Sequence, residues 1–220
     1  MKSKFANLMP NCVTCVALYL GLVGCASTQH MKPDSNWTRS ETRFGSIDIS
    51  IATPPNERQD YFPEPAAAYI EIGDGRFNRP AYSVTVLKKW WGIRGPMSVK
   101  YSGTLGLQVR IFRRPPDFEG NLLSDSELGE LKASLLRDPG RREAFVQSPK
   151  VTADRSWSRV EVRGASDMQV YCTALSDEHY IQVQAALIDN TAGANDAWRE
   201  EAIRIFEAII ETVRIDRANL

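Results

Sequence analysis

Alternating apolar and polar residues predict most of the strands in this chain. Within 105–111 every second residue is aliphatic, while Gln108 and Arg110 point to the other face, as in a strand with one side in a core. Short connections join the last three predicted strands, which favours an antiparallel meander. The same pattern predicts strands over these ranges: 44–51, 68–72, 82–87, 105–111, 157–162, 168–175 and 180–188.

Helical spacing of apolar residues predicts two helices, over 124–137 and 196–212. Ser124 and Glu127 fit a capping box at the start of the first helix. The turn sequence 138–140 ends it, and residues 141–147 are expected to add a turn or two. A short closing strand is predicted over 213–215. Strands followed by a helix, a meander and a final helix indicate an α+β fold, with helices packed on an antiparallel β-sheet.

The N-terminal segment resembles the signal peptide of bacterial lipoproteins. Two lysines, Lys2 and Lys4, precede a mostly apolar stretch over 12–23, which is too short to span a bilayer comfortably. It ends in the lipobox Leu22-Val23-Gly24-Cys25. The alternative is an ordinary N-terminal helix with a chance cysteine. The resemblance implies a signal peptide at 1–24, a lipidated, flexible tether at 25–42 and a single α+β domain at 43–220.

Lipidation at Cys25 implies a membrane address. In this family the cysteine gains a thioether-linked diacylglycerol and its freed amine is acylated, often with palmitate. Stable anchoring needs two acyl chains, so three attach a protein almost permanently. Ala26 follows the cysteine, where aspartate would imply retention in the inner membrane of a proteobacterium. The expected localisation is therefore the outer membrane, facing the periplasm.

The charge balance gives no argument for a nucleic-acid partner. The chain carries 27 basic and 27 acidic residues, and loss of Lys2 and Lys4 leaves 25 against 27. Cleavage also discards Cys12 and Cys15, whose spacing otherwise suggests a redox or metal pair. Cys172 then remains beside the anchor, and its apolar strand favours a buried free thiol over a nucleophile.

The C-terminal region 157–215 resembles the Mog1/PsbP-like group of folds. The resemblance implies an α/β/α sandwich that is used mostly for binding, and it carries no catalytic residue. It rests on apolar and turn positions: Val170-Tyr171-Cys172, Leu175-Ser176-Asp177, Tyr180-Ile181-Gln182-Val183, and a closing helix that leads into Val213-Arg214-Ile215.

Residue patterns for catalysis are weak. His30 lies in the tether, and Asp177-Glu178-His179 lies at a predicted hairpin turn, where acidic residues are usually solvated. The glycine-rich stretch 102–106 lacks the lysine of a phosphate-binding loop and leads into a strand. We therefore predict no catalytic residue, metal site or cofactor, and we expect a protein that is not an enzyme.

One basic and aromatic segment is the strongest candidate for binding. Adjacent tryptophans in a strand point to opposite faces, so at least one is a candidate for exposure. Tryptophan and arginine are common in binding hot spots. The alternative is that one tryptophan fills the core and the other covers a hairpin end. The candidate binding residues are Lys88, Lys89, Trp90, Trp91 and Arg94.

Three functional hypotheses follow. The first is an anchored binding module for a protein partner, in one version an immunity protein against a toxin delivered to the periplasm. The second is an accessory lipoprotein of an envelope or secretion machine that binds glycan or lipid. The third is a hydrolase, which requires Asp177, Glu178 and His179 to converge with Tyr171 in a pocket.

Overall fold

A computed structural model describes residues 36–55, 80–94, 99–164, 166–189 and 197–217. The signal peptide, Cys25, His30 and the predicted strand at 68–72 lie outside the described residues. Within the described ranges the chain forms nine strands and two helices: β1 (Thr38–Phe44), β2 (Ile47–Thr53), β3 (Pro80–Arg94), β4 (Val99–Arg113), α1 (Asp125–Leu136), β5 (Arg142–Val151), β6 (Ser156–Gly164), β7 (Asp167–Ala174), β8 (His179–Asp189), α2 (Ala197–Thr212) and β9 (Arg214–Arg217).

The strands form two antiparallel sheets. A six-stranded sheet has the order β3-β4-β8-β7-β6-β5, and a three-stranded sheet has the order β1-β2-β9. The predicted meander of β6, β7 and β8 is confirmed, and β8 pairs over its whole length with residues 103–113 of β4. The predicted closing strand is also confirmed, since β9 pairs with β2. The protein is therefore a mixed α+β fold built mainly of antiparallel strands.

Two apolar clusters form on opposite faces of the six-stranded sheet. On one face, alternate residues of β4 and β8 pack with α2 and with β2 of the three-stranded sheet, and Trp157 and Phe206 lie fully buried there. We call this the closed face. The other face holds a smaller cluster, in which α1 packs against β5, β6 and β7. Since successive side chains of a strand point to opposite faces of the sheet, neighbouring residues belong to different clusters.

The first predicted strand is wrong in one respect, because it contains a hairpin turn. Residues 44–51 alternate well, yet Gly45 adopts a positive φ of 58° and the chain reverses between Phe44 and Ile47. Glycine takes this conformation without a steric penalty. Strand β1 begins at Thr38, so the tether predicted to extend to residue 42 ends earlier. The polar residues of β1 gave it the composition of a linker.

The expected helical turn at 141–147 is also wrong, because this segment is strand β5. Strand β5 lies at the edge of the six-stranded sheet, and Ala144 is its one fully buried residue. An edge strand with both faces largely accessible lacks the apolar alternation that identifies a strand in a sequence.

Both predicted helices are confirmed. The Ser124 hydroxyl accepts a hydrogen bond from the backbone N–H of Glu127 at 3.5 Å, as a capping box requires. The other half of the box differs, since the Glu127 carboxylate accepts from the backbone N–H of Asn121 instead. Helix α2 buries Trp198, Phe206 and the aliphatic residues between them against the closed face.

Candidate functional site

The candidate residues lie on β3, which is the other edge of the six-stranded sheet. Trp90 pairs with Thr104 and Trp91 with Gly103, so the two indoles project from opposite faces, as predicted. Both are partly buried. The side chain of Arg94 lies outside the described part of the chain. The segment therefore divides into two halves with different surroundings.

Trp91 and Lys89 belong to the closed face. The Trp91 ring lies 5.7 Å from the ring of Trp198, and its Nε1–H donates to Glu201 Oε2 at 2.8 Å. A Cβ atom at Gly103 would overlap the Trp198 ring, so glycine allows α2 to approach β4. Lys89 Nζ lies 5.5 Å from the Trp91 ring centroid. These contacts give Trp91 a role in holding α2 on the sheet.

Trp90 and Lys88 belong to the opposite face. Lys88 Nζ lies 5.0 Å from the Trp90 ring centroid, within the range of a cation–π contact. Lys88 pairs with Gly106, and Thr85 pairs with Gln108. The basic and aromatic half of the candidate segment is thereby continuous with a set of polar side chains on β4 and β8. We call this set the amide face; it comprises Thr85, Lys88, Trp90, Gln108, Arg110, Gln182 and Gln184.

Hydrogen bonds connect the glutamines of the amide face. Gln184 Nε2 donates to Gln108 Oε1 at 3.0 Å, and Arg110 Nη2 donates to the same oxygen at 2.6 Å. Gln182 Nε2 donates to Gln184 Oε1 at 2.5 Å. Gln182 is only 1% exposed, and its Oε1 has no hydrogen-bond partner among the described residues. Arg110 Nε is likewise buried without a partner in the described ranges.

Lys132 of α1 lies beside the amide face in an unusual setting. It is 3% exposed, and its Nζ lies 3.9 Å from the centroid of Phe112 and 3.4 Å from the hydroxyl of Tyr180. Burial, with a smaller contribution from the positive charge of Arg110, lowers the pKa of Lys132 to about 8. Burial also lowers the pKa of Arg110. Among the described residues, neither cation forms an ion pair.

Sequence reasoning missed the amide face and Lys132, although both leave a signal. Gln108 and Arg110 were predicted to point away from the core, and Gln182 and Gln184 show the same spacing of two on β8. They lie side by side because of the register between β4 and β8, which the spacing within each strand does not determine. Lys132 follows Leu128 by four residues and so lies on the buried stripe of α1.

The predicted acid–base candidates do not line a common pocket with Tyr171 among the described residues. Asp177 and Glu178 are exposed at the turn between β7 and β8, and His179 packs edge-on against Phe44 at 5.7 Å. Burial, followed by the charge of Arg113, lowers the pKa of His179. Glu178 lines a shallow cavity of about 560 Å³ that does not include Tyr171. The convergence that a hydrolase requires is absent from these residues.

Cys172 is buried and free, as predicted. Burial raises the pKa of its thiol to about 12, so it is protonated at neutral pH. Tyr171 points to the closed face, where its ring contacts Phe206 at 5.3 Å, and burial raises its pKa to about 12. Within the described ranges, no group of histidine, cysteine, aspartate and glutamate side chains has the arrangement of a metal site.

Strand β5 exposes large apolar side chains at the other edge of the sheet. Phe145 is 39% exposed, with the Arg163 guanidinium 5.3 Å from its ring centroid, and Val146 and Val151 are 37% and 75% exposed. Leu135 of α1 is also exposed. The pairing of β5 with β6 shifts between Gln147 and Lys150. The regular part of the edge is therefore 142–147, which we call the β5 edge.

Neither a protein-family model nor a curated protein matches this sequence. In the part of the chain that the structure describes, no helix is long and apolar enough to cross a membrane.

Proposed function

We propose that this protein is a lipid-anchored binding module of the bacterial envelope without catalytic activity. Its lipobox supports attachment to the membrane through Cys25, and Ala26 supports an outer-membrane address facing the periplasm. The fold we propose in finer detail is an α/β/α sandwich of the Mog1/PsbP-like kind. The position of α1 and α2 on opposite faces of the six-stranded sheet supports that assignment.

The β5 edge is the surface that supports a protein partner best. An edge strand offers backbone N–H and C=O groups to a further strand, and proteins are known to bind segments in this way. Phe145 and Val146 point to opposite sides of the sheet, so both sides of an added strand would gain apolar contacts. Pro149 has no backbone N–H, which limits the added strand to the β5 edge.

The first test is capture of the partner by the full-length protein, purified from the envelope with a C-terminal affinity tag. We expect one stoichiometric protein, identified by mass spectrometry, and we expect Phe145→Asp to weaken its binding by about 30-fold. Truncation of an aromatic hot spot typically costs about 2 kcal/mol or more. A periplasmic toxin as that partner would support the immunity version of the proposal.

The matched control is Leu123→Asp, which places the same charge at an exposed leucine outside β5. It should leave the affinity unchanged, and circular dichroism should show both variants folded. Equal binding by Phe145→Asp and the parent protein would exclude the β5 edge. Absence of any stoichiometric partner would argue against the protein-binding proposal and favour an accessory role with a glycan or lipid ligand.

A further inference from the structure

The amide face belongs to a longer row of side chains on the same side of β4 and β8, which we call the strip. From one end to the other, β4 and β8 place Phe112 beside Tyr180, then Arg110 beside Gln182, then Gln108 beside Gln184, and then Gly106 beside Ala186. Among the described residues, no atom lies within 4 Å of where a Cβ of Gly106 would be, so that part of the structure leaves room above the strip there. Among the described elements, α1 lies on this side of the sheet, where it packs mainly against β5, β6 and β7 and reaches the end of the strip only through Lys132, which contacts Phe112 and Tyr180.

Strand β3 extends the strip and adds an aromatic ring. Lys88 lies beside Gly106, and Trp90 lies beside Thr104. Thr104 and Arg110 lie six positions apart on β4, which corresponds to about 20 Å of strand. An elongated ligand can therefore contact the indole at one end and the guanidinium at the other.

The strip carries positive charge without acidic side chains. On this side of β3, β4 and β8, the described residues include no aspartate or glutamate, whereas the whole chain has equal numbers of acidic and basic residues. Lys88 and Arg110 belong to the strip, and Lys132 adds a buried charge next to it. Charges without a counter-ion in a partly desolvated place favour an anionic ligand.

Two buried polar atoms of the strip have no hydrogen-bond partner among the described residues. Arg110 Nε is a donor and Gln182 Oε1 is an acceptor, and both are buried without a partner. An unsatisfied buried group costs about 1–3 kcal/mol, so native proteins rarely keep one without a reason. A binding site that is completed by its ligand, or by an ordered water, provides such a reason.

We propose that the amide face binds an acidic oligosaccharide, meaning a sugar chain that carries carboxylates. The partly exposed amide of Gln108 can donate to and accept from sugar hydroxyls, and Thr85 adds a hydroxyl that is exposed. Arg110 and Lys88 match a carboxylate in charge, and arginine also matches it in shape. The partly buried Trp90 ring offers an apolar face to the C–H groups of a sugar. This inference does not depend on the protein partner proposed for the β5 edge.

The test measures binding of defined probes to the full-length protein by isothermal titration calorimetry. A hyaluronan tetrasaccharide supplies the carboxylate on a uronic acid, and a disaccharide with N-acetylmuramic acid supplies it on a lactyl ether. Cellotetraose is the neutral probe, and pentaglutamate is the acidic probe without sugar. We expect at least one acidic sugar to bind at least tenfold more tightly than either control probe, with an affinity that falls as salt is added.

Variants locate the site. Arg110→Gln should weaken binding of the acidic sugar by about tenfold or more, because a hydrogen bond from a charged donor is lost. Lys88→Gln should weaken it less, and Lys89→Gln, one residue away on the closed face, should not change it. Trp90→Ala should lower the affinity for the acidic sugar and leave any affinity for pentaglutamate unchanged.

Several results would overturn the proposal. Equal affinity for pentaglutamate and the acidic sugars would mean that the strip recognises charge alone. Equal affinity of the parent protein and Arg110→Gln would place the sugar elsewhere. Absence of binding to all four probes at millimolar concentration would leave an ordered water as the partner of Arg110 and Gln182, and the strip would then be structural.

Discussion

Adjacent residues of β4 lie in opposite environments, and Leu107 and Gln108 represent the contrast. Leu107 is fully buried on the closed face, where α2 and the three-stranded sheet exclude water. Gln108 points to the amide face, where its side chain joins Arg110, Gln184 and Thr85 through hydrogen bonds. The same strand thus stabilises the fold with one set of residues and presents polar groups with the other.

This contrast indicates at which positions the fold tolerates substitution. Apolar packing on the closed face is dense, so a change in volume there must alter the free energy of unfolding. On the amide face Thr85 is exposed and Gln108 is partly exposed, so water can replace some of the bonds that a substitution at either position removes. Residues that contribute little to stability are free to be selected for binding.

The largest expected effect is on the closed face. Leu107→Ala should lower the free energy of unfolding by about 2–5 kcal/mol, because it removes buried methyl groups and leaves a cavity. Urea denaturation, monitored by circular dichroism, measures the change. The dependence of the free energy of unfolding on urea concentration should stay the same if the unfolded state is unaffected. A loss below about 1 kcal/mol would contradict the description of this face as densely packed.

The second prediction concerns Lys132, whose burial opposes folding. The folded pKa of about 8 lies below the ordinary value of 10.5, so the unfolded chain binds the proton more tightly. The resulting cost is fully present below pH 8 and disappears as the pH rises through 10.5. Lys132→Met should therefore raise the free energy of unfolding at pH 7 by about 2 kcal/mol, after allowance for the lost contacts with Phe112 and Tyr180.

Denaturation at several pH values checks this prediction. The gain from Lys132→Met should be largest at pH 7 and smallest near pH 11. Lys88→Met is the matched control, because that lysine is only partly buried, and it should not stabilise the protein at pH 7 as Lys132→Met does. A gain that is equal at every pH would mean that side-chain shape, rather than charge, determines the effect.

The smallest expected effect is on the amide face. Gln108→Ala should lower the free energy of unfolding by about 1 kcal/mol or less, because water can take the place of the lost amide. Comparison with Leu107→Ala, one residue away, measures the contrast between the two faces directly. A cost equal to that of Leu107→Ala would show that the hydrogen-bonded glutamines are a second structural core.

The elements that sequence predicts well are those with one buried face. Strand β8 and helix α2 have regular apolar spacing, and both were predicted nearly to their ends. Strand β5 was not, because an edge strand with one fully buried residue has no periodic signal. Gly45 interrupts β1 and β2 at a point where the alternation continues by chance, so the turn was hidden.

The candidate site was predicted only in part. The opposite directions of Trp90 and Trp91 follow from strand geometry alone, and the structure confirms them. The neighbours of each tryptophan depend on register: Gly103 must lie under Trp198, and Lys88 must lie beside Gly106. Register arises from many contacts between distant parts of the chain, and a single sequence does not display it.

The pairing of β2 with β9 also affects the order in which the chain can fold. Ile49 pairs with Ile215, so β2 cannot complete its pairing until β9, the last described strand, has been synthesised. Until then one edge of β2 has no partner, and an unpaired apolar edge invites aggregation. A ribosome would release most of this domain before the three-stranded sheet could close. Binding of a chaperone during that interval would protect the open edge of β2.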